Sequence, residues 1–214
     1  MANDYADQGL YRVLVKSNTI GTVRAWAPDE ISVQVESAWD SPFATVGSSV
    51  DTLSRFFGAS TQSEFQHTQI WQGTSPITLT IPLRFFALSS ASAEEDVTNP
   101  IRNLMKLALP DRNGNFLKPP GPLPTATKEN ILSTGANPDK VGEIITVSIG
   151  RFLYFSPVIV TSVNSNIPLK FTEDSVPLTA SVDLTFNTFR IATKSDLDNM
   201  FPTGTSRSGG FDNG

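Results

Sequence analysis

The sequence predicts a mainly β protein of antiparallel strands, with one helix and a long Pro/Gly-rich arm. Three observations carry this. Several segments alternate apolar and polar residues with a period of two, the mark of strands with one buried face. In the longest, Leu178 to Ala192, one face carries Leu178, Ala180, Val182, Leu184 and Phe186. The other carries Thr179, Ser181, Asp183 and Thr185, a polar row suited to water, as in an antiparallel sheet with one wet face. Helical spacing is clearest in one segment, Pro100 to Leu109. From 110 to about 142, six prolines (Pro110, Pro119, Pro120, Pro122, Pro124, Pro138) and four glycines forbid regular structure over most of the length.

Taken in order, Leu10 to Lys16 and Ile31 to Ser37 alternate and read as half-buried strands. Between them Asn18-Thr19-Ile20-Gly21 and Ala27-Pro28-Asp29 supply turn chemistry. Residues 48–58 read as a short helix, with Ser48 or Ser49 as N-cap and Gly58 just past the end. Ile77 to Ala87 (ITLTIPLRFFA) is the longest β signal of the first half. Its Pro82 has no N–H for a ladder and belongs at a bulge, a bend or an exposed edge.

The helix at Pro100 to Leu109 has Asn99 as its expected cap and Pro100 at its first position. Glu94, Glu95 and Asp96 precede the positive end of its dipole. Ile101, Leu104, Met105 and Ala108 make its apolar face, and Pro110 ends it. After the arm, Glu143 to Phe152 and Pro157 to Asn164 return to strand, Asn187-Thr188 is a place for a register shift in the last strand, and Ser195 to Met200 adds a helical turn. The expected organisation is a single domain over 1–200, with the arm at about 110–142 inserted, and a flexible Gly/Ser tail over 201–214.

Composition narrows the function. A net charge of −5 argues against a nucleic-acid clamp or a polybasic membrane binder. There are no cysteines, which removes disulfides, thiolate catalysis and Cys-ligated metal. The start, MANDYADQG, lacks the apolar stretch of a secretory signal, and no run approaches the roughly 18 apolar residues of a membrane span. The chain is expected to act where it is made, or to leave by lysis or as cargo.

Chemistry-bearing groups are scarce. The single histidine, His67, sits in a polar segment where Glu64 or Asp51 are its nearest prospective partners, and it reads as an exposed loop residue. Asp183 and Glu143 lie on strands and could meet as a carboxylate pair, but each reads more simply as a solvated strand residue. Asp111-Arg112-Asn113-Gly114-Asn115 lacks the acidic closing residue of a calcium loop and reads as a turn after the helix. No nucleotide-binding, nucleophile-elbow or zinc-protease motif occurs. No enzymatic activity, cofactor or metal is expected. Trp26, Trp39 and Trp71 fit core or interface packing, and sugar stacking by Trp39 or Trp71 is the alternative.

Trp71-Gln72-Gly73-Thr74-Ser75-Pro76, the strand Ile77 to Ala87, Asp96-Val97-Thr98-Asn99-Pro100 and the single helix resemble tail and baseplate proteins of contractile-tailed bacteriophages. Leu117-Lys118-Pro119-Pro120-Gly121-Pro122, a strand ending near Gly150, and Val176-Pro177-Leu178 opening a long amphipathic strand continue the likeness, which covers about residues 70–191. The resemblance implies a tail-tube-type domain, a β-sandwich or small barrel with one flanking helix. It implies assembly into rings, commonly six-fold, with neighbouring tail and baseplate proteins as partners, DNA passing without sequence-specific binding, and no membrane. The expected location is the virion, with host cytoplasm during assembly, and a tube initiator or hub-proximal connector fits better than a tube subunit. Phe116, Leu117, Pro119, Pro120, Leu123, Ile131 and Leu132 are the candidate interface residues, apolar and proline anchors in an arm suited to reaching a neighbour.

Overall fold

The structure, a computed structural model, describes residues 12–26, 30–40, 69–124, 141–150, 152–168 and 171–202. The helix expected over 48–58 and the tail from 203 onward lie outside these residues. The chain divides into two compact units, one of Met1–Gln34 with Pro76–Gly214 and one of Val35–Ser75.

The first unit is a closed antiparallel barrel of six strands: β1 (Arg12–Ser17), β2 (Gly21–Trp26), β5 (Thr78–Phe86), β10 (Thr179–Thr188), β9 (Leu153–Asn166) and β8 (Ile145–Ile149), in that order around the sheet. The expectation of a sandwich or small barrel resolves to the barrel. β1 and β2 form a hairpin over Asn18–Ile20, and Gly21, at φ 76, takes the left-handed conformation that a three-residue hairpin loop needs at its end. The second strand therefore lies at 21–26, and the one expected over Ile31 to Ser37 is not there. Ile31 and Val33 pack on the core without pairing, and Gln34 makes one bridge, to Thr78. Alternation alone cannot tell a paired strand from an extended segment lying on the core.

Alternation does fill the interior. Val13, Val15, Val23, Leu79, Ile81, Leu83, Phe85, Val147, Phe155, Val182, Leu184 and Phe186 are buried in one cluster. Phe155 and Phe186 meet edge to face, with ring centroids 5.6 Å apart. Small barrels of this kind are solid, filled by their own side chains. Ser181, Asp183, Thr185 and Asn187 on the outer face are only half exposed, because cross-strand neighbours cover them; Thr185 shares a 3.0 Å hydroxyl hydrogen bond with Thr80 directly opposite. The register shift between β10 and β9 falls between Thr185 and Phe186, earlier than Asn187-Thr188, and Thr188 stays in the strand and buried.

The seam between β2 and β5 is held by one paired position, Trp26↔Arg84, and by Trp26 packed on Phe86 with centroids 5.2 Å apart. Thr78 and Arg84 turn their backbone toward this side, and Pro82, two residues from Arg84, has the same parity. Its missing N–H therefore faces the gap in the ladder, so the proline sits in a barrel strand at no cost in hydrogen bonds. Pro157 is accommodated similarly: β8 and β9 shift register between Ile145↔Val158 and Val147↔Phe155, and the strand runs on from Leu153 through this bulge.

The helix begins earlier than its sequence signals suggest. A π-helical turn, Glu94–Thr98, leads directly into α1 (Asn99–Lys106). Asn99 has helical backbone angles and its N–H donates to the Glu94 carbonyl, so it is not a cap. Glu94, Glu95 and Asp96 occupy the first turn of the run, where acidic residues suit the dipole. The longer run rotates the buried face to Val97, Ile101, Leu104 and Leu107, and leaves Met105 exposed. These four join the barrel core, and α1 touches β2 and β9, which lie on opposite sides of the six-stranded ring, so the helix closes one barrel end. A second helix, α2 (Lys194–Met200), starts with a Thr193–Asp196 capping box and packs Met200 on the core.

In the second unit, β3 (Ser37–Asp40) and β4 (Ile70–Thr74) form an antiparallel ribbon with Trp39 opposite Trp71. The two tryptophans are 57% and 54% exposed, so neither serves as core packing, and Trp26 is half-buried beside Phe86 at the β2–β5 seam.

Candidate functional site

The expected structureless arm is ordered at its start. After Pro110 the chain forms a hairpin of β6 (Asp111–Asn113) and β7 (Phe116–Lys118), registered Asp111↔Lys118, Arg112↔Leu117 and Asn113↔Phe116. Sequence reasoning overlooked this because it weighed prolines over the whole arm. The window 111–118 contains none, and Gly114, at φ 60, provides the left-handed residue of a two-residue turn. The arm's two ends are then tied. Pro122 bridges Gly142, Leu123 N–H donates to the Val141 carbonyl at 2.9 Å, and Glu143 N–H donates to the Gly121 carbonyl at 3.0 Å.

The β1–β2 turn secures that tie. Asn18 donates its amide to the Gly142 carbonyl at 3.3 Å and accepts from Ile144 N–H at 3.1 Å, and Ser17 Oγ donates to the Glu143 carboxylate. An Asn in a turn was visible in the sequence; that its side chain clamps a segment 124 residues away was not. Asn18→Ala removes both bonds at a partly wet site, and the expected loss is about 1 kcal/mol in a urea titration, with faster amide exchange at Ile144.

Of the candidate interface residues, Phe116 and Leu117 are 80% and 70% exposed, Pro119 is exposed, and Pro120 and Leu123 are half-buried. The structure thus gathers Phe116 to Leu123 at one place, the hairpin and its root, where Leu123 belongs to the tie. Ile131 and Leu132 lie outside the described residues. Beside the root is a groove of about 390 Å³ between the β1–β2 turn, the end of α1 and the hairpin. Ile20, Leu109, Pro110, Pro119 and Pro120 give it apolar walls, and Lys106, Lys118, Asp111 and Glu143 charged ones.

Glu143, just before β8, is engaged by Ser17, whereas Asp183 lies on β10 opposite Pro82 and Asn164, with β9 between β10 and β8, so the structure gives the two carboxylates different settings. Among the described residues no cluster of three or more His, Cys, Asp or Glu could hold a metal ion, and His67 lies outside them. No described helix is long and apolar enough to cross a membrane. Compared with known proteins, the chain matches no family model and no curated sequence.

Proposed function

We propose that this protein is a structural component of a bacteriophage tail or baseplate, assembling around or next to the tail tube and helping to connect tube, hub and baseplate for genome ejection. The resemblance over residues 70–191 supplies the setting. The observation that carries assembly is the β6–β7 hairpin. Neighbouring residues of a strand point to opposite faces, so the exposure of both Phe116 and Leu117 means that neither face of this ribbon is covered at its tip. A lone two-stranded ribbon is marginal in water, and large apolar side chains on both faces suit a partner's surface. The barrel is filled, so DNA would pass beside it, through a channel formed by several copies; the acidic chain suits a path to which DNA does not stick.

The test replaces residues 111–118 with a short Gly/Ser link and follows particle assembly by electron microscopy. The expected result is a folded protein that fails to enter particles, while wild type forms a symmetric ring or a defined complex. Intact, infectious particles built with the variant would refute the role.

A second reading has its own observation, the exposed pair Trp39 and Trp71 directly opposite each other on β3 and β4. Two indole faces side by side suit stacking on pyranose rings. Binding of a glycan by the monomer, lost in Trp39→Ala and Trp71→Ala, would favour a carbohydrate-binding module instead.

A further inference from the structure

We infer that residues 30–34 are a strap poised to close the β2–β5 seam, zipping onto β5 from Gln34 toward Glu30. This goes beyond the assembly reading and does not depend on it. Two backbone bonds fix which side of β5 is unpaired. Thr188 N–H donates to the Ile77 carbonyl at 2.9 Å and Ala87 N–H to the Leu178 carbonyl at 2.8 Å, both in register with the β5–β10 ladder. Odd-numbered residues of β5 therefore bond β10, and Thr78, Thr80, Pro82 and Arg84 turn their backbone to the seam. Thr78 meets Gln34 there and Arg84 meets Trp26. Between them, Thr80 and Pro82 have no backbone partner on that side among the described residues.

The strap already has the alternation of a strand turned the right way. Ile31 and Val33 pack on the core, and Glu30, Ser32 and Gln34 are exposed. Extending the Gln34↔Thr78 bridge by two residues sets Ser32 opposite Thr80, where each N–H would donate to the other's carbonyl. Two more reach Glu30 opposite Pro82, which accepts but cannot donate, so the zipper stops there. What holds the strap open is length. Eight residue steps from Trp26 to Gln34 face six from Arg84 to Thr78, and the two surplus residues must be gathered into a bulge before the pairs form. The two ends also impose different registers, since counting from Trp26 sets Glu30 opposite Thr80. Zipping from Gln34 wins because the pairing there is already anchored: past the bridge, Ser75 N–H donates to the Glu36 carbonyl at 3.3 Å.

The chain has no cysteine, so introduced pairs report the register directly. A hydrogen-bonded antiparallel pair sets its Cα atoms about 5.5 Å apart, within the span of a disulfide. Ser32→Cys with Thr80→Cys is expected to cross-link within one chain on mild oxidation, and Glu30→Cys with Thr80→Cys to stay mostly reduced. The reverse preference, or equal cross-linking by both, would overturn zipping from Gln34, and no cross-link in either would overturn the strap. Amide exchange checks closure without cysteines. Thr80 N–H is expected to exchange roughly tenfold or more slowly than an unbonded amide. Ser32→Pro, which removes a strap donor, should release it, while Ile81 N–H, bonded toward β10, stays protected and shows the barrel intact. Pro82→Thr restores the missing donor and should slow exchange at Ser32 and Thr80 further. Thr80 exchanging at the unbonded rate in wild type and in Pro82→Thr alike would overturn the inference.

Discussion

Phe186→Ala is expected to destabilise the protein by about 3–5 kcal/mol, measured as a lower urea midpoint with little change in slope. Phe186 is fully buried on β10, registered with Leu79 of β5 on one side and Val160 of β9 on the other. Its ring meets that of Phe155, which lies on β9, in an edge-to-face contact. Truncation leaves a void between three strands whose mutual hydrogen bonds keep them from closing on it. Domains are stable by only about 5–15 kcal/mol, so this single change removes a large fraction of the margin. A loss below about 1 kcal/mol would mean that the barrel interior is loose, and the picture of a solid barrel functioning through its surface would have to be abandoned.

Gly142→Ala is expected to cost about 2–4 kcal/mol, far more than an ordinary loop substitution. Gly142 has φ +75, where a Cβ is strained whatever the surroundings. Here there is also no room: a Cβ would stand 2.7 Å from the Gly121 carbonyl oxygen and 2.8 Å from the Leu123 nitrogen. Both are backbone atoms of the arm's outgoing segment and cannot rotate away as a side chain does. The tie between Gly121–Leu123 and Val141–Glu143 must therefore open. Amide exchange at Leu123 and Glu143 is expected to rise well before that of β10, which separates loss of the tie from global unfolding. Gly114→Ala, with φ 60 but open space around it, is the control and should cost only the conformational strain, about 1–2 kcal/mol.

How much of this was legible in the sequence depended on how local the cause was. The alternation of Ala180 to Phe186 predicted the buried face of β10, because a strand's period of two needs no knowledge of its neighbours. Pro82 was expected at a bulge, a bend or an exposed edge; it sits instead in a regularly registered barrel strand, because its missing N–H faces the gap beside β2, which only the tertiary structure creates. The helix was found but its start was misplaced, since Asn99-Pro100 is a good local cap and only the packing of Val97 against the barrel favours continuing the helix backward. The strand expected at Ile31 to Ser37 failed because Ile31 and Val33 pack inward without a strand partner, while pairing belongs to whichever segment has a partner at the right height.

The candidate surface was half legible. Phe116, Leu117 and the prolines beside them stood out as apolar anchors in a segment that could not make a core. Leu109, Lys106, Asn18 and Gly142 did not, because their roles exist only when the β1–β2 turn, the end of α1 and both ends of the arm meet. By itself, the sequence determined an acidic, cysteine-free, mainly antiparallel β protein with one helix before a proline-rich arm and few groups able to do chemistry. Only the tertiary structure decided that the strands close into a filled barrel, that the arm opens with a hairpin carrying an exposed phenylalanine, and that an apolar-walled groove lies beside its root. Closure, filling and shared faces are relations between residues far apart in the chain. They follow from long-range pairing and steric fit, which local propensity does not encode.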